Sequence, residues 1–177
     1  LLIGLWIFGT GDAILIAADI GNTPWTVLAE GIAKNIDRSV GQATFIVSVA
    51  VLFLWIPLKE KPGVGTILNA VFIAAAIEIM VPRLPTPVSI GPALLQVLAG
   101  VLLIGIGSGL YLTANLGPGP RDGWMTGLQK MSGVPISRVR AAIEASVLAL
   151  GWLLGGTFWV GTILFLILIG PVVAVCL

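Results

Sequence analysis

The sequence has no histidine, a single cysteine and few charged residues. Charged residues make up 10% of the 177 positions, with nine Lys and Arg against eight Asp and Glu. Histidine is the commonest metal ligand and proton carrier near neutral pH, and Cys176 has no second cysteine with which to form an internal disulfide. These absences argue against a redox or zinc enzyme and predict that no cofactor is bound. The absence of a basic cluster argues against a nucleic-acid partner.

Apolar residues, in contrast, are abundant. They form 58% of the chain, and the mean hydropathy is +1.10, whereas soluble domains contain about 45–50% apolar residues. This composition predicts an integral membrane protein whose first partner is the lipid bilayer. Without histidine, a Ser-His-Asp or Cys-His catalytic set cannot form, so the sequence does not predict an enzyme.

One short stretch of the chain occurs twice. The segments 21–31 and 117–127 carry their first glycine, their proline and their last glycine at the same relative positions, 96 residues apart (117 − 21). At the same offset, the five residues 64–68 are identical to residues 160–164. Because the offset holds without a gap, it indicates an internal duplication.

Six apolar runs approach the length of about 20 residues that a membrane-spanning helix needs. They cover residues 1–20, 40–57, 64–82, 92–116, 137–155 and 159–177. Two amphipathic segments, 24–36 and 120–131, are too short to cross, so each is predicted to be a half-helix that returns to its side of entry. A proline-rich linker, 82–91, joins repeat 1 (residues 1–81) to repeat 2 (residues 92–177).

Three crossings per repeat turn the second repeat upside down relative to the first. The predicted fold is therefore an all-α polytopic membrane protein, with six transmembrane helices in an inverted 3+3 repeat and one half-helix after the first span of each repeat. Six cations lie on the side of the chain ends and three on the other: Lys59, Lys61, Arg121, Lys130, Arg138 and Arg140 against Lys34, Arg38 and Arg83. Positive charge favours the cytoplasmic side, so both termini are predicted to be cytoplasmic, in the inner membrane.

Three motifs resemble a known family. They are Gly21-Asn-Thr-Pro-Trp-Thr-Val-Leu28, Val64-Gly65-Thr66 with Asn69, and Pro120-Arg-Asp-Gly-Trp with Asp122. Over nearly the whole chain, the sequence resembles the YczE/YyaS/YitT group of bacterial integral membrane proteins, particularly its YczE-like branch. It departs at Thr26, where that group usually has Asp, and at Asn22-Thr23, where Gly is more typical. The resemblance implies a multi-span inner-membrane protein of a kind often labelled a transporter, without a settled substrate.

Asp12 lies near the middle of the first predicted span. A charged carboxylate there costs from about 3 to more than 10 kcal/mol, so it must face a partner, water or the protein interior, or carry a proton. Two interpretations remain open. Asp12 is either a cation or proton site, or it makes a packing hydrogen bond to Thr10, Asn69 or Ser108.

The other candidate residues lie around the half-helices and in the fifth span. The half-helix starts at Thr23 and Gly119 offer free N–H groups and a positive dipole end, which favour an anion or a carbonyl oxygen. Arg121 adds a positive charge there, or else pairs with Asp122 or contacts lipid phosphate. Glu144 is either a polar site or is neutralised by Arg140. The predicted substrate-binding residues are Asp12, Thr23, Gly119, Arg121, Asp122 and Glu144.

Two classes of function fit these features. The first is a membrane transporter of a small polar solute, coupled to a proton or cation gradient. The second is a non-transporting scaffold or regulatory partner of another protein, and a substrate-capturing subunit of a larger uptake complex falls between the two. Assembly as a homo-oligomer is also open.

Overall fold

The computed structural model describes residues 1–176, and this part of the chain is all-helical, as predicted. It forms eight α-helices, one short 3-10 turn at Val81–Arg83 and no strand. The helices are α1 (Leu2–Ala18), α2 (Pro24–Ile36), α3 (Val40–Phe53), α4 (Val64–Met80), α5 (Ile90–Leu112), α6 (Pro120–Ser132), α7 (Ile136–Leu153) and α8 (Val160–Cys176). The last predicted span included Leu177, which lies outside the described residues.

Helix length and composition give fewer membrane spans than the six predicted. Among residues 1–176, two segments are long and apolar enough to cross a bilayer alone, Val64–Arg83 and Ile90–Leu112. The pair α2 and α3 would count as a third span, bent by 112°. Helices α1 and α8 are apolar but have only 17 residues each. A helix that crosses the bilayer without tilt needs about 20 residues.

The two short helices begin as their local sequences predict. Pro24 and Pro120 each occupy the first turn, where the missing N–H of proline would have no partner in any case. Thr23 precedes α2, and its hydroxyl accepts a hydrogen bond from the Thr26 N–H at 3.3 Å. Gly119 precedes α6 and has no side chain with which to cap it. Both short helices therefore begin with a proline, but only α2 has a side chain that caps its first turn.

Glycines bring α1 and α5 into backbone contact. A Cβ atom added to Gly11 would lie 2.7 Å from the Gly100 carbonyl oxygen, and one added to Gly107 would lie 2.7 Å from the Gly4 carbonyl oxygen. Small residues of this kind let helices approach closely in lipid. Since Gly4 meets Gly107 and Gly11 meets Gly100, the two helices run antiparallel.

Each short helix packs on elements from the other half of the chain. At the end of α2, Lys34 and Asn35 donate to the carbonyl oxygens of Gly155 and Leu154, both at 2.8 Å. The residues at the end of α6 meet the segment after α3, where Lys130 pairs with Glu60 at 2.7 Å. Each half of the chain therefore packs its short helix against the other half, and a cavity lies among the helices.

Candidate functional site

A cavity of about 140 Å³ lies among the helices, and all eight helices contribute to its wall. Five of the six predicted site residues line it: Thr23, Gly119, Arg121, Asp122 and Glu144. Apolar side chains such as Phe8, Trp25, Ile104 and Phe165 complete the wall. The sequence placed these residues on separate segments, and the fold brings them to one space.

The starts of both short helices reach this cavity, but they are not equivalent. The sequence predicted free N–H groups near Thr23 and near Gly119. At α2 this is wrong for the Thr26 N–H, because the Thr23 hydroxyl accepts its hydrogen bond. At α6 no side chain among residues 1–176 caps the first turn, so its N–H groups and positive dipole end remain available to the cavity.

Arg121 stacks on an aromatic ring. Its guanidinium carbon lies 5.1 Å from the centre of the Trp25 ring, within the range of a cation–π interaction. It makes no salt bridge or side-chain hydrogen bond with any residue between 1 and 176, so the ion pair with Asp122 that the sequence left open is not formed. Arg121 is nevertheless close enough to Asp12 for the two charges to interact electrostatically. Arg121 is thus a half-buried cation facing the cavity.

Asp122 is held by a residue that sequence reasoning missed. The Tyr111 hydroxyl donates a hydrogen bond to Asp122 Oδ2 at 2.6 Å, and both residues line the cavity. Tyr111 is the one tyrosine of the sequence and lies within a predicted span. A buried phenol hydroxyl usually finds a partner, and that signal could have identified it.

Glu144 forms the ion pair with Arg140 that their spacing of four residues suggests. The Arg140 Nε and Glu144 Oε1 atoms are 2.8 Å apart. Both residues line the cavity, so the pair supplies polar groups to the site as well as mutual neutralisation.

Asp12 lies outside the cavity lining, and its side chain is 0% exposed. Its Oδ1 atom accepts a hydrogen bond from the Thr26 hydroxyl at 3.3 Å, and the Thr26 and Thr23 hydroxyls are 2.8 Å apart. Because Thr23 lines the cavity, two hydroxyl groups connect Asp12 to it. The Oδ2 atom has no partner in the part of the chain that the structure describes.

The packing partners predicted for Asp12 were wrong. Thr10 donates to the Trp6 carbonyl at 2.8 Å, and Ser108 donates to the Ile104 carbonyl at 2.7 Å. Each hydroxyl thus bonds the carbonyl four residues earlier in its own helix, a local option that Ser and Thr readily take. Asn69 lines the cavity instead.

Two more cavity residues were not predicted as site residues: Ser48 was missed, and Asn69 was noted only within a motif and as a possible partner of Asp12. Ser48 is 5% exposed and Asn69 is 9% exposed, and both line the cavity. Within residues 1–176, neither side chain has a hydrogen-bond partner. The signal for Asn69 was an amide inside an apolar run, whereas nothing local distinguished Ser48 from other helix serines.

Glu30 has a structural role that sequence reasoning also missed. Its carboxylate accepts hydrogen bonds from Asn22 at 2.8 Å and from the Thr157 backbone and hydroxyl at 2.8 and 2.6 Å. It also pairs with Lys34 at 2.7 Å. These bonds tie α2 and the segment before it to the loop that precedes α8.

The whole chain, residues 1–177, matches the family of unknown function DUF6198. The chain belongs to this family. An uncharacterized protein of Haemophilus influenzae is 43% identical over 173 residues, which cover 98% of this chain and 79% of the relative. YczE of Bacillus subtilis, described as an uncharacterized membrane protein, is 31% identical over 169 residues, covering 94% of this chain and 79% of YczE. YyaS of the same organism is 25% identical over 166 residues, covering 92% and 83%.

No solved structure matches this DUF6198 chain. The similarity to YczE and YyaS confirms the resemblance drawn from the three sequence motifs. Together with the apolar helices, the similarity to a described membrane protein supports a membrane location.

Proposed function

We propose that this DUF6198 protein is a membrane transporter of a small polar solute, built as a six-span inverted 3+3 repeat. The observation that carries this proposal is that the starts of both short helices, at Thr23 and Gly119, reach one cavity. In transporters with inverted repeats, half-helix N-termini point at a substrate held between the repeats. The Asp122 and Glu144 carboxylates at the same cavity supply further polar contacts.

The pattern of contacts supports a two-fold relation between the repeats. When two equivalent units are related by a two-fold axis, a contact from residue i to residue j implies the reciprocal contact with the units exchanged. Three pairs of contacts obey this rule at the offset of 96: Gly4–Gly107 with Gly11–Gly100, Gly65–Leu116 with Gly161–Ile20, and Gly31–Leu154 with Gly127–Leu58. With α1 antiparallel to its equivalent α5, this favours an inverted arrangement.

The shorter helices can contribute to six spans if the bilayer adapts. A helix of 17 residues is about 26 Å long at about 1.5 Å per residue, a few Å less than a hydrocarbon core of about 30 Å. Local thinning of the bilayer accommodates a difference of this size at modest cost. Beyond the end of α3, the exposed Leu54 and Ile56 extend its apolar length.

Polar contacts at the two ends of the molecule agree with the proposed sides. The excess of Lys and Arg on one side assigns that side to the cytoplasm. Lys59, Lys130 and both chain ends lie on this side, and Lys34 lies outside. Lys130 pairs with Glu60, the neighbour of Lys59, and Lys34 bonds the loop before α8. Each contact therefore joins segments that the proposal assigns to one side.

The proposed sides can be tested by cysteine labelling. The sequence prediction places Lys59 and Arg121 in the cytoplasm and Lys34 and Arg83 outside. Because Arg121 is half-buried, the exposed Lys130 on the same helix is the better reporter. In a Cys176→Ser background, an impermeant maleimide added to intact cells is expected to label Lys34→Cys and Arg83→Cys. Lys59→Cys and Lys130→Cys should react only after permeabilisation, and equal labelling of Lys34→Cys and Lys130→Cys from outside would contradict the inverted repeat.

Transport itself can be tested with purified protein in liposomes. Uptake of a panel of radiolabelled amino acids, hydroxy acids, sugars and amines should include at least one solute that accumulates only when the protein is present. Asp122→Asn is expected to lower that uptake at least tenfold, since it removes a cavity charge. Asp37→Asn, at an exposed left-handed position, is the matched control and should transport normally. If the panel gives no uptake, and native membranes yield a stoichiometric protein complex, the scaffold or capture-subunit alternative is favoured.

A further inference from the structure

Three polar side chains in the cavity have hydrogen-bonding capacity that the protein does not use. Ser48 and Asn69 are more than nine-tenths buried, line the cavity and have no side-chain partner among residues 1–176. The Arg121 guanidinium stacks on the Trp25 ring, but no residue between 1 and 176 accepts a hydrogen bond from it. Buried polar groups are normally hydrogen-bonded, so Ser48 and Asn69 indicate a site that a ligand completes, and the half-buried Arg121 adds a cation to the same cavity.

Two of these side chains lie at the uncapped start of α6. A Cβ atom added to Gly119 would lie 3.0 Å from Asn69 Nδ2, so the amide packs directly against the helix start. Arg121 is the second residue of the same helix. Asn69, Arg121 and the first turn of α6 therefore all contribute donors to the wall of one cavity.

The equivalent start of α2 indicates what is missing at α6. At α2 the Thr23 hydroxyl oxygen accepts the Thr26 N–H, the usual role of a capping side chain. Gly119 occupies the equivalent place at α6, 96 residues later, and brings no oxygen. A cavity ligand with an oxygen anion would satisfy these N–H groups and would also match the helix dipole and the guanidinium.

We propose that the cavity binds a small solute through a carboxylate, which caps α6 and accepts hydrogen bonds from Arg121 and Asn69. This inference rests on the proposed function and specifies its substrate class. The cavity has a volume of about 140 Å³, whereas pockets for drug-sized ligands have about 300–1,000 Å³. The small volume favours a solute with few heavy atoms. Phe8 and Phe165 provide apolar wall for the rest of the solute.

The charges around the cavity are compatible with a carboxylate. Arg121 and Arg140 balance Asp122 and Glu144 among the lining residues, so the wall itself carries no net charge. Asp122 uses Oδ2 to accept from Tyr111, and it can also receive an ammonium or hydroxyl group of the solute. Both α-amino acids and hydroxy acids carry a carboxylate. They differ in the second polar group, an ammonium or a hydroxyl, and the test below distinguishes these two classes of solute.

The test compares each carboxylate with its own amide. Purified protein in detergent is titrated calorimetrically with alanine and alaninamide, with lactate and lactamide, and with inorganic phosphate. At least one of alanine and lactate is expected to bind at least tenfold more tightly than its amide, and which one binds identifies the second group that the site accepts. Preferential binding of phosphate would overturn the carboxylate assignment.

Variants then locate the binding. Arg121→Gln is expected to weaken carboxylate binding at least tenfold, Asn69→Ala about fivefold, and Arg121→Lys less than Arg121→Gln. Arg138→Gln, an exposed arginine on α7 outside the cavity, is the matched control and should bind normally. Size-exclusion elution and melting temperature establish that each variant is folded before its affinity is compared.

The outcomes separate this inference from the proposed transport function. Equal binding of acid and amide, no binding of any probe, or unchanged affinity in folded Arg121→Gln would overturn the carboxylate site. If carboxylate binding depends on Arg121 but liposomes take up no solute, the site is supported and transport is wrong. If an uncharged solute is taken up and Arg121→Gln has no effect on it, transport is supported and the carboxylate site is wrong.

Discussion

Asp12→Asn is expected to leave the fold and solute exchange intact while removing the dependence of uptake on a proton or cation gradient. The Asp12 side chain is 0% exposed, and one of its oxygens has no partner within residues 1–176. Asparagine keeps the size of the side chain and can still accept the hydrogen bond from Thr26, but it cannot take up a proton or neutralise a bound cation. Buried ionisable groups in membrane segments commonly serve this coupling role.

The contacts around Asp12 give a route for the coupling ion. The hydroxyls of Thr26 and Thr23 lead from Asp12 to the cavity, and a chain of hydroxyl groups can pass a proton by successive donation and acceptance. Arg121 is the charged residue whose field acts on Asp12. A solute that binds at Arg121 would therefore change the electrostatic cost of a charge on Asp12, which links solute and ion.

The measurement compares uptake into proteoliposomes with an imposed pH gradient, with an imposed sodium gradient and with neither. Wild-type protein is expected to accumulate solute at least tenfold more under one of the two gradients, whereas Asp12→Asn should only equilibrate it. Asp19→Asn, an exposed acid after the end of the same helix, is the control and should behave as wild type. If Asp12→Asn carries the solute at the normal rate with unchanged pH and sodium dependence, Asp12 is a packing residue.

Gly11→Leu is expected to prevent α1 and α5 from packing, so that no monodisperse protein is recovered. A Cβ atom at Gly11 would lie 2.7 Å from the Gly100 carbonyl oxygen and 2.9 Å from the Ile104 nitrogen, and backbone atoms cannot move aside as a flexible side chain could. Overpacking of a core costs about 1–3 kcal/mol or more. Here it would also separate the first helices of the two repeats.

Gly170→Leu is the matched control, because a Cβ atom at Gly170 on α8 has no neighbour within 4 Å among the described residues. Both variants add the same side chain to an apolar helix, so they differ mainly in what that side chain meets. Size-exclusion elution and thermal melting in detergent compare them. Wild-type elution and melting of Gly11→Leu would mean that the backbone contact between α1 and α5 does not limit stability.

Local sequence determined much of the secondary structure. Pro24 and Pro120 begin the two short helices, because a first-turn proline loses no intrahelical hydrogen bond. Ser39 caps α3 by accepting the Gln42 N–H at 3.2 Å. The pair of Arg140 and Glu144 follows from a spacing of one helical turn. Each of these features depends on residues within four positions, so the sequence alone was sufficient to predict them.

The sequence also determined that the chain is helical and apolar enough for a membrane, and its repeat marked the two helix starts that reach the cavity. It did not determine which helix faces which, because an apolar run of Leu, Ile and Gly offers similar surfaces in several directions. The glycine contacts between α1 and α5 select one of these packings. Helix order in space therefore came from the tertiary structure.

Only the tertiary structure determined the partners of the polar side chains. Thr26 bonds Asp12, Arg121 stacks on Trp25, and Asn69 packs against the start of α6. These contacts join different helices, some of them from opposite halves of the chain, so no local spacing encodes them. Thr10 and Ser108 illustrate the converse, since their own helices satisfy them. Sequence reasoning could identify which groups needed a partner, but the choice of partner depends on how the helices pack.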